Sequence, residues 1–241
     1  MDDASMGVAS FPREGIGPDR CACTLSKGVI MEHVKNKPAG IARSRTRAIA
    51  FVALTIAIMA VSAWVAIPLG PVPFTLQIFA VAFALLVLQP REAIAAVAGY
   101  LVLGAIGLPV FSAMRGGIGV LAGPSGGFLW GYLLGVGLAL VVRMALMSLV
   151  VGKGAASAAG ASQAVAAGAS QAKLFAVDLA SGLVFLAVAY ICGWAQLMAV
   201  AGMSPEAAFA SGVAPFVIVD VIKLVAAVLC ARAVKRAVPR A

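Results

Sequence analysis

Apolar residues run through this chain in long, nearly uninterrupted stretches at residues 48–67, 74–88, 93–108, 128–151, 174–201 and 213–231, each bounded by polar, proline- or glycine-rich segments. A stretch of about 20 apolar residues is what a helix needs to cross the hydrocarbon of a bilayer. The pattern predicts an all-α fold: a six-helix integral membrane bundle with short external Pro/Gly-rich ligand loops. The second and third stretches are short for a full crossing, so the flanking Pro/Gly backbone has to extend them. Non-helical backbone at membrane depth is tolerated only where protein buries it or where it lines a cavity, which draws attention to those flanks. Residues 1–42 carry no helical apolar face and no signal-peptide core, and read as a disordered cytoplasmic tail in which Met6 and Met31 offer alternative starts. Residues 43–241 read as one membrane domain, with 152–173, where GASQA occurs twice, as a flexible cytoplasmic linker.

Composition agrees with the pattern. The chain is 63% hydrophobic and 11% charged, with mean hydropathy +1.06, against roughly 45–50% apolar and roughly 25% charged in soluble domains. The net charge of +9 is distributed by topology. Arg43, Arg45 and Arg47 precede the first stretch, Arg91 follows the second, Lys153 and Lys173 bracket the linker, and Arg232, Lys235, Arg236 and Arg240 end the chain. The positive-inside rule puts all of these on the cytoplasmic side, with both termini inside. The basic excess is thus matched to anionic lipid, and a nucleic-acid partner is excluded.

Within the last apolar stretch stand Asp220 and Lys223. An ionisable group inside a membrane helix costs at least about 2.5–3.5 kcal/mol and marks a functional site by default. At i and i+3 the two share a helix face and point into one cavity. Asp178 is expected instead as a solvated or capping carboxylate at the membrane edge near Lys173. Gly127, Gly131 and Gly135 form a small-residue stripe for close helix packing, and Ala53 and Ala57 form a second small pair, for packing within the chain or against a partner.

Other motif matches fail on context. Gly123-Pro124-Ser125-Gly126-Gly127 fits G-x-S-x-G, but a serine nucleophile needs a base, and the only histidine is His33 in the tail. Gly117-Ile118-Gly119 with Ala122 follows no strand, which removes the dinucleotide reading. Cys21, Cys23 and His33 are too few and wrongly spaced for a metal site. No metal and no cofactor is expected, and no phosphate-binding loop is present, so any ATP is bound by another subunit. The chain is not expected to be an enzyme.

The outer loops hold the remaining polar groups. Pro68, Pro71 and Pro73 make the segment IPLGPVPFTLQ rigid and deliver Thr75 and Gln77 to the top of the second helix. A long loop runs from Gly107 through Phe111 and Arg115 to Gly127, with Tyr100 two turns below it. Taken in order, IPLGPVPFTLQ, YLVLGAIGLPVF, GPSGG and Pro215-Phe216-x-x-x-Asp220-x-x-Lys223 resemble the BioY family, the biotin-binding S components of energy-coupling factor (ECF) transporters. The resemblance covers roughly residues 45–236; the long tail, the Ala-rich linker and Ser112-Ala113-Met114-Arg115 depart from the family pattern. It implies a biotin-capturing subunit of a bacterial cell membrane, partnered by a transmembrane coupling subunit and two ABC-type ATPases. Asp220 would accept from a ureido N–H, and Lys223 would donate to the carboxylate or the ureido oxygen. Gln77 and Thr75 would add polar contacts, Tyr100 and Phe111 an aromatic wall, and Arg115 a counter-charge for the carboxylate. Ala53 and Ala57 resemble the A-x-x-x-A coupling surface of S components. An S component for another vitamin is the alternative.

Overall fold

The computed structural model describes residues 39–68, 72–151 and 170–237. The tail with Cys21, Cys23 and His33, the greater part of the Ala-rich linker, and Arg240 lie outside the described residues. The chain divides at Thr46/Arg47, and residues 47–241 form the unit that carries the cavity and the contacts described below.

In chain order the elements are α1 (Ala39–Trp64), β1 (Ala66–Pro68), β2 (Pro73–Thr75), α2 (Gln77–Val87), α3 (Pro90–Ile106), a 3-10 turn (Ser112–Met114), α4 (Ile118–Ala122), α5 (Gly126–Val151), α6 (Gln171–Ala201), α7 (Pro205–Gly212) and α8 (Ala214–Ala237). The described residues thus form eight α-helices where the apolar pattern predicts six. Four are long and apolar enough to cross a membrane, at Arg45–Trp64, Gly126–Val150, Gln171–Ala201 and Ala214–Ala237. The protein is a multi-pass membrane protein. The extra helices, α4 and α7, are short and sit in segments expected as loops.

The short second helix has a local cause. Three prolines cannot all enter a helix, and the segment folds instead into a hairpin, with Ala66 opposite Thr75, Ile67 opposite Phe74 and Pro68 opposite Pro73. Thr75 therefore ends a strand rather than starting a helix. That leaves α2 only 11 residues, about 16 Å at 1.5 Å per residue. Its Ala80, Val81, Ala82, Ala84, Leu85 and Leu86 are all at most 1% exposed, so α2 is a core helix rather than a lipid-facing one. α3 starts at a capping box in which the Gln89 backbone N–H donates to Glu92 Oε2 (3.1 Å) with Pro90 in the first turn, and it stops at Gly107, whose φ of 113° favours glycine.

The glycine stripe does what its spacing predicts. A Cβ on Gly127 would lie 2.3 Å from Cys192 O, one on Gly131 would lie 2.7 Å from Ala189 Cα, and one on Gly135 would lie 2.9 Å from Phe185 O. Backbone-to-backbone contact of this kind welds α5 to α6 without help from the hydrophobic effect, which is weak between helices in lipid.

Asp178 corrects an expectation. It is 2% exposed rather than solvated, because Arg143 of α5 donates to it from Nε and Nη2, both at 3.0 Å from Oδ1. A carboxylate at that depth needs a cation, and the cation comes from a neighbouring helix rather than from Lys173.

Candidate functional site

Asp220 and Lys223 lie one turn apart on α8, 3% and 7% exposed. The Lys223 ammonium donates to Asp220 Oδ1 at 2.9 Å and to the Thr75 backbone carbonyl at 2.6 Å, and it stands 3.6 Å from the centroid of the Phe74 ring. The other carboxylate oxygen, Oδ2, accepts from the Tyr190 hydroxyl of α6 at 2.5 Å. Buried charges persist only when paired and hydrogen-bonded. Here the hairpin supplies a carbonyl and a ring face to the cation, and α6 supplies an O–H to the anion.

A second polar chain runs alongside. Gln77 Nε2 donates to Tyr100 Oη (2.8 Å), and Tyr100 Oη donates to the Val110 carbonyl (2.9 Å), tying the first turn of α2 to the loop after α3. Thr75 Oγ1 accepts from the Gln77 backbone N–H at 3.4 Å, so this side chain helps start α2.

Beside these groups lies a cavity with about 540 Å³ of empty space, its open mouth included. Asp220, Gln77 and Thr75 line it, joined by Tyr132, Tyr190, Ser112 and Ser125 as polar groups and by Phe74, Phe128 and Phe216 as apolar wall. Phe74 and Phe216 stack at 6.1 Å with an interplanar angle of 17°. Aromatic rings form much of the wall, and of the polar lining groups Tyr190 is hydrogen-bonded to Asp220.

The expected residues divide accordingly. Asp220, Gln77 and Thr75 face the cavity. Lys223 lies outside the lining, against Asp220 and the hairpin. Tyr100 touches the site through Gln77, and Phe111, fully buried, packs edge-on to Tyr100 at 5.5 Å and over Gly104, where a Cβ would come within 2.0 Å of the ring. Arg115 is exposed, its Nε donating to the Ser112 carbonyl at 3.3 Å, and its own carbonyl accepts from the Phe111 N–H at 2.9 Å. Ala53 and Ala57 are exposed on α1, away from the cavity lining. Ser125 does reach the cavity, while His33, the chain's one histidine, lies outside the described residues.

Tyr132 and Tyr190 are cavity-lining residues that sequence reasoning passed over. A signal was available, because the chain has only three tyrosines, all within apolar stretches. A buried tyrosine hydroxyl needs a hydrogen-bonding partner, so each one in a membrane helix is a pointer to polar company.

Fold and site together define a multi-pass membrane protein with a cavity walled by aromatic rings and lined by a buried carboxylate. Residues 33–240 match the profile of the BioY family, and the chain belongs to that family. It is 38% identical over 180 residues to the biotin transporter BioY of Thermotoga maritima, covering 75% of this chain and 90% of that protein. It is 30% identical over 187 residues to the probable biotin transporter BioY of Pyrococcus horikoshii, covering 78% and 95% respectively. Both relatives are named as transporters rather than as enzymes. The fold is shared with a crystal structure of the S-component for biotin from an ECF-type ABC transporter, at TM-score 0.64 and 22% identity over 80% of this chain and 93% of that one.

Proposed function

We propose that this chain is the biotin-binding membrane subunit of an ATP-driven vitamin uptake system, taking biotin from outside and releasing it inside after reorientation with an energising module. The observation that carries the reading is the carboxylate of Asp220, facing an aromatic cavity in a chain of the BioY family. Biotin combines a cyclic urea, an apolar thiophane ring and a carboxylate on an alkyl arm. Asp220 accepts from a ureido N–H, a charge-assisted bond stronger than a neutral one. Lys223 pairs with that carboxylate and fixes it against the hairpin. Phe74 and Phe216 take the thiophane ring, with Gln77 and Thr75 at the polar end and Tyr100 and Phe111 supporting Gln77 from behind. Arg115, on the segment that brings Ser112 to the cavity, meets the ligand carboxylate at the mouth.

The chain carries no ATP-binding loop, so the energy comes from partners: a transmembrane coupling subunit and two cytoplasmic ABC-type ATPases. Ala53 and Ala57, exposed on α1 and small enough for close helix approach, form the docking surface. Both termini lie in the cytoplasm of a bacterial cell, by the distribution of arginine and lysine. No cofactor of its own is required. The test is a binding screen on the purified protein with biotin, thiamine and riboflavin. Saturable binding of biotin alone supports the proposal, and preference for either of the other vitamins overturns it.

A further inference from the structure

Asp220 is engaged on both oxygens by two unlike donors, and only one of those donors faces the cavity. Lys223 spends its ammonium on Asp220 Oδ1, the Thr75 carbonyl and the Phe74 ring, and does not line the cavity. Tyr190 lines it beside Asp220, with its hydroxyl 2.5 Å from Oδ2. Its ring is set by its surroundings. Phe128 packs edge-on to Tyr190 at 6.2 Å and 86°, and Phe128 is itself seated over Gly193, where a Cβ would come within 2.4 Å of the ring. The ring is thus set by packing and the hydroxyl by Asp220.

A cyclic urea presents an N–H and its C=O side by side along each edge of the ring. The complement is an acceptor next to a donor, and Asp220 Oδ2 next to Tyr190 Oη is such a pair. We propose that Tyr190 is a specificity-determining residue that reads the ureido carbonyl. Without ligand, its single proton goes to Asp220. When a ureido N–H takes over that acceptor site on Oδ2, the Tyr190 O–H turns to the adjacent carbonyl and its oxygen draws back from Oδ2, since 2.5 Å is an O–H···O distance. One donor replaces another on the carboxylate and the hydroxyl gains a new acceptor, so no buried polar group is left without a partner during the exchange. Lys223 keeps its three contacts throughout. This assignment rests on the biotin reading above.

The experiment compares biotin with 2-thiobiotin, in which the ureido C=O is replaced by C=S, a weak acceptor, while both N–H groups remain. Affinities are measured for the wild-type protein and for Tyr190→Phe, which keeps the ring. Wild type is expected to bind biotin roughly 10-fold more tightly than the thio analogue, and Tyr190→Phe to lose roughly 10-fold for biotin but little for the analogue, bringing the ratio near one. An equal loss for both ligands, with the ratio unchanged, means a purely structural tyrosine and overturns the assignment. So does a wild-type protein that does not distinguish the two, a result that needs no variant. If wild type binds neither ligand, the biotin reading itself has failed.

Discussion

Replacing Lys223 by methionine tests how the site holds its charge. Methionine keeps most of the length of the side chain and removes the ammonium. Asp220, 3% exposed, then retains only the Tyr190 hydroxyl, while the Thr75 carbonyl loses the donor it had at 2.6 Å. Breaking a buried ion pair by removing one partner costs about 3–5 kcal/mol, because the other charge stays buried without compensation. The lost contact with the Phe74 ring is part of the same removal, since a desolvated cation over a ring contributes about 2 kcal/mol or more. Lys223→Met is therefore expected to unfold about 3–5 kcal/mol more easily in detergent micelles, read from equilibrium chemical unfolding. The double variant Asp220→Asn/Lys223→Met removes both charges and is expected to be more stable than Lys223→Met alone, a coupling that a double-mutant cycle reads directly. A single variant within about 0.5 kcal/mol of wild type, the range of an ordinary surface substitution, would refute the reasoning. So would a double variant no better than the sum of the two single changes.

Three further outcomes are expected. Gly131→Val drives a side chain into the backbone of Ala189, where even a Cβ would sit at 2.7 Å, and should prevent stable packing of α5 on α6; Gly137→Ala on the same helix, with nothing within 4 Å, should be neutral or stabilising by up to about 1 kcal/mol, both read from unfolding midpoints. Arg143→Ala strands Asp178 and should destabilise by about 3–5 kcal/mol, with Arg143→Ala/Asp178→Asn recovering part of the loss; equal stability of the two would count against a load-sharing pair. Ala53→Trp, at an exposed position, should abolish ATP-dependent biotin uptake with the energising module present while leaving equilibrium biotin binding intact; lost binding would point to packing within the chain.

What the sequence could reveal follows the range over which each signal acts. Apolar length and the basic residues are local, so the four long helices were legible, as were the small-residue contact between α5 and α6 and the shared face of Asp220 and Lys223. The hairpin was half legible: the prolines forbade helix, but nothing local said that Ala66 would pair with Thr75 or that the Thr75 carbonyl, not its hydroxyl, would meet Lys223. Asp178 was misread because its partner, Arg143, lies 35 residues away on another helix. Tyr190 was passed over for the same reason, being 30 residues from Asp220. Pairings across helices depend on rotation and depth, which a linear pattern does not carry. Short helices in loops, such as α7 with Ser204 as its cap and Pro205 at its start, bore recognisable end signals but too little length to stand out.

The claim that Asp220 is the ligand's acceptor is tested most directly by titrating labelled biotin into purified wild-type and Asp220→Asn proteins side by side. A hydrogen bond to a charged group contributes about 1.5–3 kcal/mol, so the substitution should weaken binding roughly 10- to 100-fold while wild type saturates at one ligand per chain. Unchanged affinity in Asp220→Asn would contradict the account.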